Sequence, residues 1–213
     1  MGNFSFKFVN GEYYHVFNRG VDKRNIFADR HDYSRFLKSI KEFNQIEPII
    51  SLYIKNRVSD VGVKPLHDGA LVEIVAYNLL PNHFHFILKQ LSDGGVSEFM
   101  KRIGGGYTGY FNHKYRRSGS LFQGRFKAVH VDTNDYLLYL SAYVNGNNII
   151  HKSKIFISSF KNYLNNGADE FCSPAVILSQ FKDEGDYEEF VAVNTKEIAR
   201  HRKELGRYLL EDE

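Results

Sequence analysis

The spacing of hydrophobic residues divides the first part of the chain into strands and one helix. Residues 12–18 and 49–55 are rich in β-branched and aromatic side chains, which is typical of strands, and apolar residues recur at helical spacing over 32–43. Residues 70–78 and 83–90 predict two more strands, joined by the turn sequence LLPN. The pattern therefore predicts a strand, a helix and a strand, followed by a β-hairpin.

The connections between these elements carry glycine and proline. Residues 56–69 contain Gly, Pro and Asp without apolar periodicity and predict an exposed loop. A helix is predicted over 96–115 although it contains four glycines, each of which costs a helix about 1 kcal/mol relative to alanine. These glycines, which indicate a kink or a close approach to the helix backbone, are Gly104, Gly105, Gly106 and Gly109.

The order of elements indicates the fold class. Residues 125–131 predict a strand and 135–145 a short helix, which Thr133 and Asn134 can cap. Counted without the strand at 49–55, the order β-α-β-β-α-β-α is typical of an α+β fold in which helices on one side pack on a ferredoxin-like, or RRM-like, antiparallel sheet.

Two further helices are predicted after this unit, over 173–181 and 186–205. They have no place in the ferredoxin-like order, so we expect them to form an appendage packed on the main domain. We therefore divide the chain into a main domain, 1–165, and a helical C-terminal extension, 166–213.

Composition excludes several classes of protein. The 213 residues are 43% hydrophobic and 25% charged, which is close to the globular average and is sufficient for a core without disulfides. The single cysteine, Cys172, excludes an internal disulfide framework and cysteine-based zinc sites. The N-terminal residues lack a signal-peptide pattern, and no apolar stretch is long enough to span a membrane. We expect a soluble, cytoplasmic protein.

The net charge of +3 conceals an uneven distribution. Residues 101–131 contain seven Lys and Arg and no Asp or Glu, and six aromatic residues are interleaved with them. Basic groups for phosphates and rings for stacked bases are what binding of single-stranded nucleic acid requires. A solvated helix face with aromatic residues in the core would have the same composition, so composition alone leaves both interpretations open.

Two histidines in the predicted strand 83–90 are candidate metal ligands. Side chains at positions i and i+2 of a strand leave the same face about 7 Å apart along the backbone, so His83 and His85 can converge on one ion. Phe84 and Phe86 then point toward the core. Imidazole binds several divalent metals, but a histidine pair on a solvated sheet face is the alternative.

Other catalytic motifs are missing from the sequence. Cys172 has no basic or histidine neighbour nearby in sequence, which argues against a thiol enzyme. The sequence also contains neither the G-x-S-x-G motif of serine hydrolases nor the phosphate-binding loop of P-loop NTPases. Tyrosine is abundant, with 14 copies, so its abundance does not identify a nucleophile.

Several motifs resemble one known family. They are YHVFNRGVDKRNIF, NLLPNHFHFIL, YTGYFNHKYRRSGSLFQGRFKAVHV and NDYLLYLSAYVNGNN. In this order and spacing, over roughly residues 10–182, they resemble the IS200/IS605-type single-tyrosine HUH transposases, especially the REP-associated tyrosine transposase branch. The resemblance implies the HUH nuclease fold and a catalytic role for the domain at 1–165.

The resemblance also assigns roles to individual residues. It implies that His83 and His85 are metal ligands, that Tyr143 is the nucleophile and that Asn147 is the third ligand. Positions 143 and 147 share one face if the helix continues, which agrees with this assignment.

The sequence departs from the family around Asn147. The family commonly has a bulky residue before this asparagine and proline after it, whereas this chain has Gly146 and Asn148. The ligand role therefore stays open between Asn147 and Asn148. Tyr136 and Tyr139 are rival nucleophiles, for which packing on the helix is the favoured interpretation.

The chemistry implied by the resemblance is cleavage and rejoining of single-stranded DNA at hairpin-flanked sites, through a covalent 5'-phosphotyrosine and with Mg²⁺ or Mn²⁺ as cofactor. The basic block then becomes the DNA-binding surface. The expected contacts are Arg116, Arg117, Arg125 and Lys127 for phosphates, Tyr107 and Tyr110 for stacking, and Arg19 and Lys23 in the first loop.

Two other functions use many of the same residues. A non-catalytic nucleic-acid-binding module of RRM-like fold would need the basic and aromatic residues but not the histidines and Tyr143. A metal-dependent phosphoesterase would activate water and would not need Tyr143. Oligomeric state is open between a monomer and a homodimer with shared active sites.

Overall fold

The computed structural model describes residues 7–47, 69–164 and 169–209, with side chains up to residue 200. The strand predicted at 49–55 and nearly all of the loop predicted at 56–69 lie outside the described residues.

The main domain follows the predicted order of elements. It contains β1 (Tyr13–Arg19), α1 (Arg30–Phe43), β2 (Val72–Leu80), β3 (His83–Gln90), α2 (Gly95–Lys114), β4 (Lys127–Val131) and α3 (Asn134–Asn145). The elements after α3 are α4 (Asn147–Ile150), β5 (Ile157–Ser158), α5 (Phe160–Tyr163), α6 (Ala175–Leu178) and α7 (Glu184–Leu209). The helix predicted at 173–181 is thus a single turn, α6, whereas the helix predicted at 186–205 is extended at both ends as α7.

The strands form one five-stranded antiparallel sheet in the order β4-β1-β3-β2-β5. Strand β3 lies between β1 and β2, which are joined through α1, and this is the split β-α-β arrangement of ferredoxin-like folds. The predicted α+β, ferredoxin-like fold is therefore confirmed.

One face of the sheet packs against α1 and α2 through aromatic side chains. The Phe36 ring of α1 lies 5.4 Å from Phe84 and 4.9 Å from Tyr107, measured between ring centroids. A Cβ atom on Gly106 would lie 2.7 Å from the Phe43 ring. The close approach that the glycines of α2 predict is therefore found at Gly106, where α1 and α2 touch.

The other face of the sheet is covered by α3 and α7. Buried residues of this second layer include Ile87 on β3, Tyr143 and Val144 on α3, and Tyr187 and Val191 on α7. The expectation that the helices of the ferredoxin-like order lie on one side is therefore wrong for α3, whereas α7 packs on the domain as the predicted appendage does. The physical reason is visible in β2, whose run of apolar residues is nearly continuous, and in β3, whose residues are nearly all buried, as expected for strands buried on both faces.

The C-terminal helix is tied to α3 by a buried hydrogen-bond network. The Asn145 amide donates to the Tyr187 hydroxyl at 2.8 Å, and that hydroxyl donates to Ser141 Oγ at 3.2 Å. Asn145 Oδ1 accepts from Ser159 Oγ at 2.7 Å. The extension therefore contributes to the same buried layer as Tyr143.

Within the described ranges, none of the helices combines the length and apolar character that crossing a membrane requires.

Candidate active site

Strand β3 presents both histidines of the H-x-H pair on the face covered by α3. The His83 and His85 ring centroids are 5.1 Å apart and their planes are nearly perpendicular, at 89°. Phe84 and Phe86, which alternate with them, point into the layer of α1 and α2. The two imidazoles therefore lie side by side in the second layer, as the alternation of the strand requires.

His85 is buried and neutral. Only 2% of the residue is exposed, and this burial, together with the nearby His83, holds its pKa well below the ordinary value. Its Nδ1 lies 2.9 Å from Nε2 of His15, a fully buried residue of β1. Its Nε2 is also buried and has no hydrogen-bond partner among the residues the structure describes. A neutral, buried imidazole nitrogen of this kind suits a metal ligand.

The tautomer of His83 follows from its neighbours. Asn82 donates its amide to the Lys23 carbonyl at 3.3 Å, so its Oδ1 is the atom that faces His83 Nδ1 at 2.7 Å. An amide oxygen can only accept, so His83 Nδ1 carries a proton, and in the neutral ring Nε2 then has the lone pair. His83 therefore also presents a nitrogen that can bind a cation. The His151 ring, 4.8 Å away, adjoins it from the end of α4.

Helix α3 brings Tyr143 to these histidines within the same chain. The helix begins at Thr133, whose hydroxyl accepts from the Tyr136 backbone N–H at 3.2 Å, as predicted for the cap. It is fastened to β2 by the Asn78 amide, which donates to the Val144 carbonyl at 2.9 Å. The Tyr143 ring centroid lies 5.4 Å from that of His85, with the ring planes at 85°.

The rival tyrosines of α3 have different surroundings. Tyr136 and Tyr139 are partly exposed and pack at the margin of the second layer, and burial raises the pKa of each. Tyr143 is fully buried against His85 and His15. Geometry therefore separates Tyr143 from the other two.

Asn147, the first residue of α4, is the better candidate for a third ligand. It is fully buried, and neither Oδ1 nor Nδ2 of its carboxamide finds a hydrogen-bond partner within the described part of the chain. Asn148 is partly exposed. A buried carboxamide without partners is costly unless something else binds its oxygen. Among the described residues, no group of three His, Cys, Asp or Glu side chains is placed to hold a metal ion, so a third protein ligand here would have to be of another residue type, such as the asparagine.

The structure gives a reason for the unusual Gly146. A Cβ atom at this position would lie 2.1 Å from Thr195 Oγ1 and 2.9 Å from Thr195 Cγ2. Helix α7 therefore packs directly on the turn between Tyr143 and Asn147, which leaves no space for the bulky residue found in the family.

Two of the predicted basic residues lie on the face of the sheet that carries the histidines. Arg19 is paired directly with His83 across the β1–β3 ladder. Lys127 is paired with Phe17, which is itself paired with His85. Directly opposed residues of an antiparallel pair project from the same face, so both cations adjoin the candidate metal site.

The other predicted basic residues lie outside the strands. Lys23, Arg116 and Arg125 are exposed. The guanidinium of Arg117 donates to Asn112 Oδ1 of α2 at 2.5 Å and to the Ser120 carbonyl at 2.9 Å. Residues 121–123 are joined to the end of β1 by backbone hydrogen bonds, and the Lys23 carbonyl accepts from Asn82, the neighbour of His83. Lys23 and the segment that leads to Arg125 thus come to the end of the sheet at which His83 lies.

The two predicted stacking residues are not surface rings. Tyr107 is fully buried, and its hydroxyl donates to the Ile26 carbonyl at 2.6 Å. Tyr110 is partly buried and donates to Asp32 Oδ1 at 3.0 Å, beside the ion pair of Asp32 with Lys114 at 2.7 Å. Burial alone would raise the Asp32 pKa, but these hydrogen bonds outweigh it and lower the pKa overall. A base could not reach the Tyr107 ring in this conformation.

The sequence interpretation missed His15. Its position in the first predicted strand could have been read, but its contact with His85 depends on the register of β1 against β3, which the sequence does not reveal. Asn82 was likewise assigned only to a turn.

Comparisons with known proteins agree with the motif-based resemblance. Residues 47–147 match a family model described as transposase IS200 like. The matched span includes both histidines, Tyr143 and Asn147, and the resemblance to IS200-like transposases is thereby confirmed. The chain is also similar to a solved structure described as a REP-associated tyrosine transposase bound to a REP hairpin, at 15% identity and a TM-score of 0.48. That alignment covers 81% of this chain and 92% of the other. No curated protein sequence matches the chain.

Proposed function

We propose that the chain is a metal-dependent transposase of single-stranded DNA, which cleaves and rejoins its substrate through a phosphotyrosine at Tyr143. One observation carries the proposal: the Tyr143 ring lies against His85 in the same chain, 5.4 Å between centroids. A phenol, two imidazoles and a carboxamide are the groups that this chemistry needs, and they share one buried layer.

The donor set supports a divalent cation. His83 and His85 each present Nε2 as the available nitrogen, and Asn147 supplies an oxygen that has no partner among the described residues. Two nitrogens and one oxygen suit a first-row divalent metal and leave positions for substrate oxygens. When bound, Mg²⁺ or Mn²⁺ would polarise the scissile phosphate and offset the negative charge of the transition state.

In the proposed reaction, the Tyr143 oxygen forms a bond to phosphorus while the bond from phosphorus to the 3'-oxygen breaks. The phenol loses its proton and the leaving oxygen gains one, so the products are a 5'-phosphotyrosine and a free 3'-hydroxyl. The energy of the phosphodiester is conserved in the phosphotyrosine, and attack by a 3'-hydroxyl reverses the step. No ATP is required for rejoining.

Access to Tyr143 requires movement. The residue is fully buried, so a phosphate can reach its hydroxyl only after neighbouring side chains or α3 itself have shifted. A buried nucleophile of this kind would be protected until DNA is bound.

The charge distribution supports single-stranded DNA as the substrate. Arg19 and Lys127 flank the histidine face, Lys23 and Arg125 lie near the same end of the sheet, and Arg116 is exposed. Cations in this arrangement suit a phosphate backbone. Folded hairpins are the form of DNA that we propose for this chain, in line with the hairpin bound by the similar solved structure.

The test is incubation of hairpin-containing single-stranded DNA with the full chain and Mg²⁺ or Mn²⁺, followed by a denaturing gel. We expect a protein-linked DNA band that requires metal and that disappears in Tyr143→Phe. Cleavage without a linked band would favour a phosphoesterase that activates water. Binding without cleavage would favour the RRM-like binding module.

Whether one chain suffices is tested by mixing two inactive variants. Tyr143→Phe lacks the nucleophile, and the double variant His83→Ala/His85→Ala lacks the proposed ligands. If each active site is built from one chain, as the contact of Tyr143 with His85 supports, the mixture stays inactive. Recovery of activity would instead indicate a homodimer with shared sites.

A further inference from the structure

His15 is the third imidazole of the buried site and has no role in the reaction described above. It lies on β1, is fully buried, and its ring is nearly parallel to that of His85, with 5.2 Å between ring centroids and 20° between planes. A second aromatic neighbour is Tyr143, whose ring centroid lies 5.9 Å from that of His15, with 80° between the ring planes. A polar ring in this position, between a proposed ligand and the proposed nucleophile, needs a physical explanation.

The explanation lies in the hydrogen bond between the two rings. His15 Nε2 and His85 Nδ1 are 2.9 Å apart, so one of them donates a proton to the other. A neutral imidazole has one N–H group, and its other nitrogen carries a lone pair. The direction of this hydrogen bond therefore decides whether His85 Nε2 is a donor or a lone-pair nitrogen.

We propose that His15 is a positioning residue, whose Nε2 accepts the proton of His85 Nδ1 and so holds His85 Nε2 as a lone-pair nitrogen. The purpose of this arrangement rests on the proposed function, because a metal ligand needs that lone pair. It parallels His83, where Asn82 Oδ1 accepts from Nδ1 in the same way. Ligating histidines are commonly oriented by such an acceptor on the second nitrogen.

The need for a metal ligand selects this direction. His85 Nε2 is buried and has no hydrogen-bond partner within the described ranges, so its lone pair is the one that a cation in this layer could use. With the opposite direction, His15 Nε2–H would donate to the His85 Nδ1 lone pair, and His85 Nε2 would carry the proton and could not bind a cation. Loss of the acceptor on His15 should release His85 to populate both tautomers.

The tautomer can be measured without metal or DNA. Long-range ¹H–¹⁵N spectra of the full, metal-free chain distinguish the two tautomers, and the His85 signals are identified by their loss in His85→Gln. We expect the Nδ1–H form in the wild type, a shift toward the Nε2–H form in His15→Leu, and retention of the Nδ1–H form in His15→Gln, whose side-chain oxygen can accept. An Nε2–H form in the wild type would overturn the proposal.

Binding of Mn²⁺ supplies a second readout. Calorimetry should give an affinity for Mn²⁺ that is about 10- to 100-fold weaker in His15→Leu than in the wild type, with most of it restored in His15→Gln. The control is His130→Gln, since His130 bonds to Glu12 and its neighbour in the ladder, Tyr14, faces the other layer. Unchanged affinity and an unchanged tautomer in His15→Leu would contradict the proposal.

These outcomes stay separate from the proposed function. If the wild type forms no linkage to DNA, the transposase proposal fails, while the tautomer spectra still decide the role of His15. If His15→Leu does not fold, judged by circular dichroism, the wild-type tautomer and His15→Gln remain decisive.

Discussion

The contact between Gly146 and Thr195 predicts how strongly the packing of α7 on the turn after Tyr143 contributes to the stability of the fold. We consider Gly146→Ala. The backbone angles of this residue, φ −94° and ψ 4°, are accessible to alanine. Alanine has less conformational freedom than glycine in the unfolded chain, and this effect alone would stabilise the fold by about 0.4–1 kcal/mol. The new Cβ, however, would lie 2.1 Å from Thr195 Oγ1 and 2.9 Å from the Ala142 carbonyl oxygen.

The steric term should exceed the entropic one. Overpacking of a buried contact costs about 1–3 kcal/mol, and Thr195 lies fully buried on α7, where it cannot move into solvent. The net expectation is a loss of about 1–2 kcal/mol in the free energy of unfolding. Thr195→Ala removes both Oγ1 and Cγ2, so in the double variant we expect about 1 kcal/mol or more to be recovered as coupling between the two sites.

Urea unfolding of the full chain, followed by circular dichroism, measures these free energies. The matched control is Gly105→Ala in α2, where nothing lies within 4 Å of the added Cβ among the described residues. It should be stabilised by about 1 kcal/mol, because alanine is the better helix former. A neutral or stabilising Gly146→Ala would refute the reasoning, since α7 would then not pack on the turn that carries Asn147.

Three more predictions follow from other parts of the molecule. Burial raises the Asp32 pKa but its hydrogen bonds lower it further, so its stabilisation is present above the ordinary pKa of about 3.9 and is lost as the pH falls through the folded value. Asp32→Asn should therefore lower the free energy of unfolding by roughly 3 kcal/mol at pH 7 and by less below pH 4, measured in urea; a difference independent of pH would contradict this. Arg19→Ala and Lys127→Ala should each reduce the slope of log affinity against log salt concentration for single-stranded DNA by about 0.7. The control is Lys41→Ala, since Lys41 pairs with Glu170 at 2.9 Å, and this variant should leave the slope unchanged. Equal slopes in all three variants would contradict the proposed DNA-binding surface. Burial raises the pKa of Cys172 to about 12, so iodoacetamide at pH 8 should modify the folded chain far more slowly than the unfolded chain, and equal rates would refute its burial.

Local patterns in the sequence were sufficient for most of the fold. Alternation in β3 and helical spacing in α1 each depend on one element, and the order of elements then allows few topologies. The division of helices between the two faces was not predicted. It depends on where α3 and α7 dock, although the nearly continuous apolar run of β2 already favoured burial on both sides.

The residues of the candidate site were likewise only partly predictable from the sequence. His83 and His85 could be found because their proximity follows from the geometry of one strand. His15 could not, because its contact with His85 arises from strand register. The stacking roles of Tyr107 and Tyr110 were assigned from composition, which cannot separate an aromatic ring in the core from one at the surface.

The central claim is that Tyr143 is the nucleophile of a site built with His83 and His85. Its most direct test is peptide mapping of the covalent complex by mass spectrometry, after digestion of the protein and trimming of the DNA. We predict one modified tyrosine, Tyr143, carrying a 5'-phosphate linkage. Linkage at Tyr136 or Tyr139, or cleaved DNA that carries no tyrosine adduct, would contradict the account.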